Sequence, residues 1–242
     1  MRTNWTGVGT ALVTPFTSSG AVDEAVGVDL PAEGWSSSAL EAAERCGAVV
    51  LGPGLGRTEG TAGEVRRLVA ESPVPLVVDA DGLFALGKLD GPIRSSDRPD
   101  VVLTPHDGEY RRLLGAAPGP DRIDAARRLA AASGAVGLLK GPTTAVADPS
   151  GSVLLGTSGT SRLATAGTGD VLSGVIGALI ARGVEPRLAA ALAAHVHGRA
   201  ARRGPSEGLV AGDLPRLVAD ELADLFDAGP EERPEAGDPI DG

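Results

Sequence analysis

Apolar residues along the 242-residue chain follow two spacings. Short continuous runs at 48–51, 76–78, 101–103 and 153–155 are bounded by glycine, proline, serine or aspartate and read as strands. Residues 136–147 read as two further strands around a turn. Elsewhere the composition turns helical, at 39–45, 64–70, 110–114, 122–132, 171–182 and 186–202, with a last helix ending near Phe226. Ser36, Ser37 and Ser38 offer an N-cap to the first of these helices.

The stretch 159–174 organises the rest. Thr168 and Gly169 permit a sharp turn, and Val171, Leu172, Val175, Ile176, Leu179 and Ile180 then fall at i, i+3, i+4 spacing, which places Asp170 in the first turn of a helix. Free first-turn amides and the positive end of the helix dipole converge there, and glycine lets a phosphate approach closely. A carboxylate beside such a site suits removal of a proton from a hydroxyl that attacks phosphorus. An aspartate that only favours the helix dipole fits the same pattern.

Strand ends carry the remaining candidates. Residues 48–51 run into Gly52-Pro53-Gly54-Leu55-Gly56, whose glycine spacing differs from the dinucleotide fingerprint G-x-G-x-x-G. The strand at 76–78 ends in Asp79 and Asp81, a pair that could position a polar ligand or hold a metal through water, with Asp81 alternatively capping a helix. Thr104-Pro105-His106-Asp107-Gly108-Glu109 forms a polar turn in which His106 could donate to a ligand or serve the structure. Lys140, beside Gly141 and two threonines, could meet a phosphate or remain a solvated hairpin lysine. His195 and His197 stand two apart on different helix faces and read as structural.

Composition narrows the class. Hydrophobic residues make up 42% and aromatics 2%, so Ala, Val, Leu and Gly carry a core suited to close α/β layers and no aromatic platform for single strands exists. A net charge of −10 argues against nucleic-acid binding; six acids and one arginine in residues 227–242 contribute half of it. One cysteine excludes an intrachain disulfide, and three scattered histidines offer no zinc spacing. With no signal-peptide pattern and no long apolar run, a soluble cytoplasmic protein without membrane attachment is expected.

Five motifs in order, Gly52 to Gly56, Val78 to Asp81, Leu103 to Glu109, Leu139 to Gly141 and Ala164 to Gly174, resemble the ADP/ATP-dependent NAD(P)H-hydrate dehydratases of the ribokinase-like superfamily. The resemblance implies an α/β fold with a central, mostly parallel sheet between helices. It also implies repair of hydrated NADH or NADPH by nucleotide-driven phosphorylation of the hydrate hydroxyl and elimination of phosphate. Carried over, Asp170 activates the hydroxyl, and the Gly167 and Gly169 amides stabilise the transferred group. Gly54, Gly56, His106 and Asp170 face the hydrated nucleotide, while Lys140, Gly141, Pro142, Thr143, Thr144, Thr168 and Gly169 line the ADP or ATP site. Mg²⁺ neutralises the phosphates with no dedicated protein metal site, and a homo-oligomer is expected.

The chain departs from that pattern at its start. Residues 1–27, with Gly7-Val8-Gly9-Thr10-Ala11-Leu12-Val13-Thr14-Pro15-Phe16, resemble the opening of a dihydrodipicolinate synthase-type aldolase, and 51 residues precede Gly52, fewer than the family carries. The expected organisation is therefore a leader at 1–27 that docks on the sheet as an edge strand, a dehydratase-like domain at 28–226, incomplete at its N-terminus, and a disordered acidic tail at 227–242. Alternative functions are a hydroxymethylpyrimidine or hydroxyethylthiazole kinase, or a truncated chimera that binds nucleotide or oligomerises without catalysis.

Overall fold

The computed structural model describes residues 11–12, 30–31, 33–98 and 100–227. Two-residue β1 (Ala11–Leu12) lies at the edge of a sheet continued by β2 (Val49–Leu51), β3 (Leu76–Val78), β4 (Val101–Leu103), β5 (Val136–Leu139), β6 (Thr144–Ala147) and β7 (Val153–Gly156). Spatial order equals chain order. The first five strands run parallel, and β6 and β7 are added antiparallel. Ala11 stands opposite Val49 and Leu12 opposite Val50 in this edge strand. The rest of the leader, and the tail beyond Asp227, lie outside the described residues.

Alternation along each strand divides the core in two. Val49, Leu51, Leu76, Val78, Val101 and Leu103 face α1 (Trp35–Ala43), α2 (Glu59–Glu71), α3 (Ala80–Leu86), α4 (Asp107–Leu114) and α5 (Arg122–Ser133). Val50, Val77, Val102 and Leu138 face α6 (Thr168–Ala181) and α7 (Pro186–Arg203). Burial on both faces explains why β2 to β4 read as continuous apolar runs. Each fully buried leucine or valine contributes roughly 1.5–3 kcal/mol.

Small residues permit the layers to close up. A Cβ at Gly177 would lie 2.8 Å from Val50 Cγ2, so α6 rests directly on β2. The last helix, α8 (Leu214–Asp227), packs on α7 through Val218 and Leu222, and buried Glu221 pairs with Arg199 and Arg203. Among the described residues no helix is long and apolar enough to cross a membrane.

Several helix starts differ from the sequence expectation. α1 begins at Trp35 after Gly34 and has no side-chain cap; the three serines expected to cap it lie inside it, and the Ser36 amide donates to Glu64 at 2.8 Å. α2 starts at Glu59, where Thr58 accepts from the Thr61 amide. α3 was absent from the expectation, and Asp79, not Asp81, is its N-cap. The polar turn after β4 is the first turn of α4, closed by a reciprocal cap between His106 and Glu109.

Candidate active site at the carboxyl edge of the sheet

Parallel strands deliver Gly52, Asp79, Thr104 to His106, and Lys140 to one edge, just beyond the last residues of β2, β3, β4 and β5. Open α/β sheets bind ligands at this edge. The N-terminus of α6 reaches the same place from the opposite layer.

Asp79 is the hub. It is buried, its Oδ1 accepts from Lys140 Nζ at 2.6 Å and from the Ala80 amide at 2.8 Å, and its Oδ2 accepts from Ser173 Oγ at 2.8 Å. These bonds tie β3, β5 and α6 together. Gly52 abuts the hub from β2: its φ is +137°, and a Cβ there would lie 1.8 Å from the Asp79 carbonyl. Only glycine combines that conformation with that approach.

Asp81 secures the glycine loop, accepting from the Gly56 amide at 3.0 Å and from Arg57 Nε at 2.7 Å. The Gly56 N–H is therefore committed to Asp81, and Arg57 lies over the Phe84 ring. Asp79 and Asp81 each have protein partners, and the described residues contain no group of three or more His, Cys, Asp or Glu able to hold a metal.

Gly167, with φ +87°, starts α6, and no side chain caps the helix. Thr168 and Asp170 amides bond back to Thr165 and Gly167 carbonyls, whereas the Gly169 amide has no acceptor among the described residues. That leaves an open donor at the positive end of a fourteen-residue helix, where the sequence places its candidate anion site. A Cβ at Gly169 would lie 3.2 Å from Lys140 Nζ, so this turn sits directly over the Lys140–Asp79 pair.

Asp170 is exposed at the rim of this turn. Protein mass around its carboxyl displaces enough water to raise its pKa; Asp79 and then Asp81 push in the same direction, and Lys140 opposes them. Glu109 also has a raised pKa, chiefly from burial, opposed by the His106 amide and Lys140. His106 Nδ1 accepts from the Gly108 and Glu109 amides at 2.9 and 3.3 Å, which assigns the ring proton to Nε2. The cap occupies one ring nitrogen and leaves the exposed side chain at the site.

Beside the α6 turn opens a cavity of about 750 Å³. Lys140, Gly141, Pro142, Thr144, Thr168 and Gly169 line it, as does His106. Gly54, Gly56, Thr143, Gly167 and Asp170 lie outside its lining. The structure thus separates most of the residues assigned to nucleotide from the glycine loop assigned to the hydrated substrate, with Asp170 outside the cavity at the α6 turn. The sequence reading missed the wall formed by Gly159 to Ser161, the Ser173 bond to Asp79, and His197, which is buried and lines the cavity, while His195 is exposed.

A mostly parallel sheet with an uncapped helix start at its carboxyl edge is a ribokinase-like α/β architecture; Arabidopsis thaliana ribokinase, 19% identical over 80% of this chain and 61% of that one, shares the fold with a TM-score of 0.54. The chain belongs to the NAD(P)H-hydrate dehydratase family, whose model matches residues 8–224. It is 46% identical over 198 residues to the bifunctional NAD(P)H-hydrate repair enzyme Nnr of Salinibacter ruber, covering 80% of this chain and 36% of that protein. The Nnr of Mycobacterium tuberculosis H37Rv is 51% identical over 150 residues, 62% of this chain and 31% of its own length. The chain therefore spans about a third of the length of the curated relatives it matches. The ADP/ATP-dependent NAD(P)H-hydrate dehydratase of Bacillus subtilis, co-crystallised with ATP/Mg²⁺, superposes with a TM-score of 0.66 at 32% identity over 73% of this chain and 64% of that one. These relatives favour the dehydratase over the two kinase alternatives.

Proposed function

We propose that this chain restores NADH or NADPH from the hydrated cofactor at the expense of ADP or ATP. The observation that carries the reading is the α6 turn: an open Gly169 amide, an adjacent Asp170 with raised pKa, and a nucleotide-sized cavity next to both. The nucleotide lies in the cavity with its terminal phosphoryl group toward the Gly167 and Gly169 amides, which stabilise the charge that develops there. Lys140, Gly141, Pro142, Thr144 and Thr168 complete the nucleotide wall.

The hydrated nicotinamide approaches from the Gly54, Gly56 and His106 side. Asp170 takes the proton of its hydroxyl as the oxygen–phosphorus bond forms and the bond to the leaving nucleotide breaks. Elimination then breaks the carbon–oxygen bond, releases phosphate and a neighbouring proton, and restores the double bond. Mg²⁺ bound with the nucleotide would neutralise phosphate charge. Homo-oligomeric assembly and a cytoplasmic location accompany this reading.

Incubation of the chain with hydrated NADH or NADPH, Mg²⁺ and ADP or ATP tests it. Recovery of reduced cofactor that depends on nucleotide and releases equimolar phosphate is expected. Nucleotide binding without recovery would leave a non-catalytic binding domain.

A further inference from the structure

His197 differs from every other cavity-lining group in its partners. It sits on α7, 4% exposed, and its Nε2 is buried with no hydrogen-bond partner. An orphaned polar atom of this kind is uncommon in folded proteins. Leu172 on α6 and Ala194 on α7 also line the cavity.

The surroundings hold His197 in place. A Cβ on neighbouring Gly198 would lie 2.5 Å from the Ser158 carbonyl oxygen, and Ser158 Oγ donates to the His195 carbonyl at 2.9 Å. The loop that continues as Gly159 to Ser161, another wall of the cavity, is thereby fastened to α7 at the residues flanking His197. Ala189, Ala190, Ala193, Val196 and Ala200 are buried on the same helix.

His197 lies within electrostatic reach of Lys140 and beside the Thr168 backbone at the α6 turn. The His197 imidazole is neutral near pH 7: burial, reinforced by Lys140, lowers its pKa to about 4 despite the opposing Thr168 backbone. A neutral donor or acceptor in an apolar wall matches a neutral polar atom, whereas a phosphate calls for a cation or for helix amides.

We propose that His197 is a specificity-determining residue of the nucleotide cavity, with Nε2 hydrogen-bonded to a neutral polar atom of the nucleoside part, a ribose hydroxyl or the edge of the base. The proposal rests on the nucleotide reading of the cavity given above. Titration calorimetry with ADP and with inorganic tripolyphosphate, on the full chain and on His197→Leu and His197→Gln, tests it. ADP affinity should fall about 5- to 100-fold in His197→Leu, recover in part in His197→Gln, and leave tripolyphosphate affinity unchanged. Equal losses for both ligands, or unchanged ADP affinity, would overturn it. Should the leucine variant not fold, ¹⁵N-histidine spectra of the unaltered chain decide the matter. The His197 signal must move on ADP saturation and stay put with tripolyphosphate; a signal unmoved by ADP refutes the contact. Absence of any ADP or ATP binding to the unaltered chain would instead overturn the nucleotide reading, and the proposal with it.

Discussion

Lys140 Nζ lies 2.6 Å from Asp79 Oδ1, a pair separated by 61 residues of chain and joined at the carboxyl ends of β3 and β5. Asp79 is almost wholly buried, and Lys140 is largely so. Removing one partner strands a charge in the interior, which typically costs about 3–5 kcal/mol. Lys140→Met is accordingly expected to lower the midpoint of chemical denaturation by that order. Asp79→Asn combined with Lys140→Met should recover part of it, since asparagine removes the stranded charge and can still accept from the Ala80 amide. A single variant as stable as the parent would show that the pair does not hold the edge together.

The close approach of Gly52 to Asp79 yields a second expectation. Gly52→Ala places a Cβ into the Asp79 carbonyl and holds a non-glycine residue at φ +137°, so the glycine loop or the start of α3 must move. Destabilisation by roughly 2–3 kcal/mol or more is expected, together with loss of turnover. Denaturation midpoints of Gly52→Ala against Gly54→Ala check this, because a Cβ at Gly54 meets open space and only its φ of +72° opposes the change. Equal effects at the two positions would contradict the contact argument.

Acid stability should report His197. Its folded pKa of about 4 lies below the ordinary 6.5, so the unfolded chain binds more protons between those values. The stability it contributes is complete above pH 6.5 and is lost as pH falls toward 4, by roughly 3 kcal/mol in all. Melting curves across that window should therefore fall less steeply for His197→Gln than for the parent. Parallel slopes would show that the imidazole is not buried neutral.

Local signals made much of this legible. The run from Gly167 to Ile180 contains its own turn, dipole and apolar stripe, so the start of α6 and the first-turn place of Asp170 could be read without knowledge of the fold. Strands β2, β3 and β4 announced themselves because both of their faces are buried. Long-range bonds have no such signature: Ser173 reaches Asp79 across 94 residues, and nothing in the spacing of either indicates the other. His197 escaped for a related reason, since helix spacing separates it from His195 but says nothing about which face meets a cavity. α3 was overlooked because Asp79 and Asp81 read as the polar end of a strand, with Asp81 the alternative cap, whereas Asp79 caps a seven-residue helix there.

The leader offers a fourth test. We propose that residues 1–27 stabilise the domain through β1, whose Ala11 and Leu12 pair with Val49 and Val50. Ala11→Pro removes a backbone donor from that edge. A lower denaturation midpoint is expected for Ala11→Pro and for a chain starting at Val28; unchanged midpoints in both would show that the leader is only appended.

Asp170→Asn addresses the central claim most directly, because the amide keeps the size of the side chain and removes only its basicity. At neutral pH the native carboxylate faces Asp79 and Asp81, so the change should not lower the melting temperature. ADP and ATP affinities should be retained, while hydrate repair falls about 10²–10⁴-fold. In the parent, kcat/KM should drop on the acid side at a pH above the ordinary aspartate value of 3.8, since the raised pKa leaves the base protonated there. The decisive measurement is therefore turnover beside nucleotide affinity in Asp170→Asn. Retained affinity with lost turnover is the predicted result, and full turnover in the variant would contradict the account.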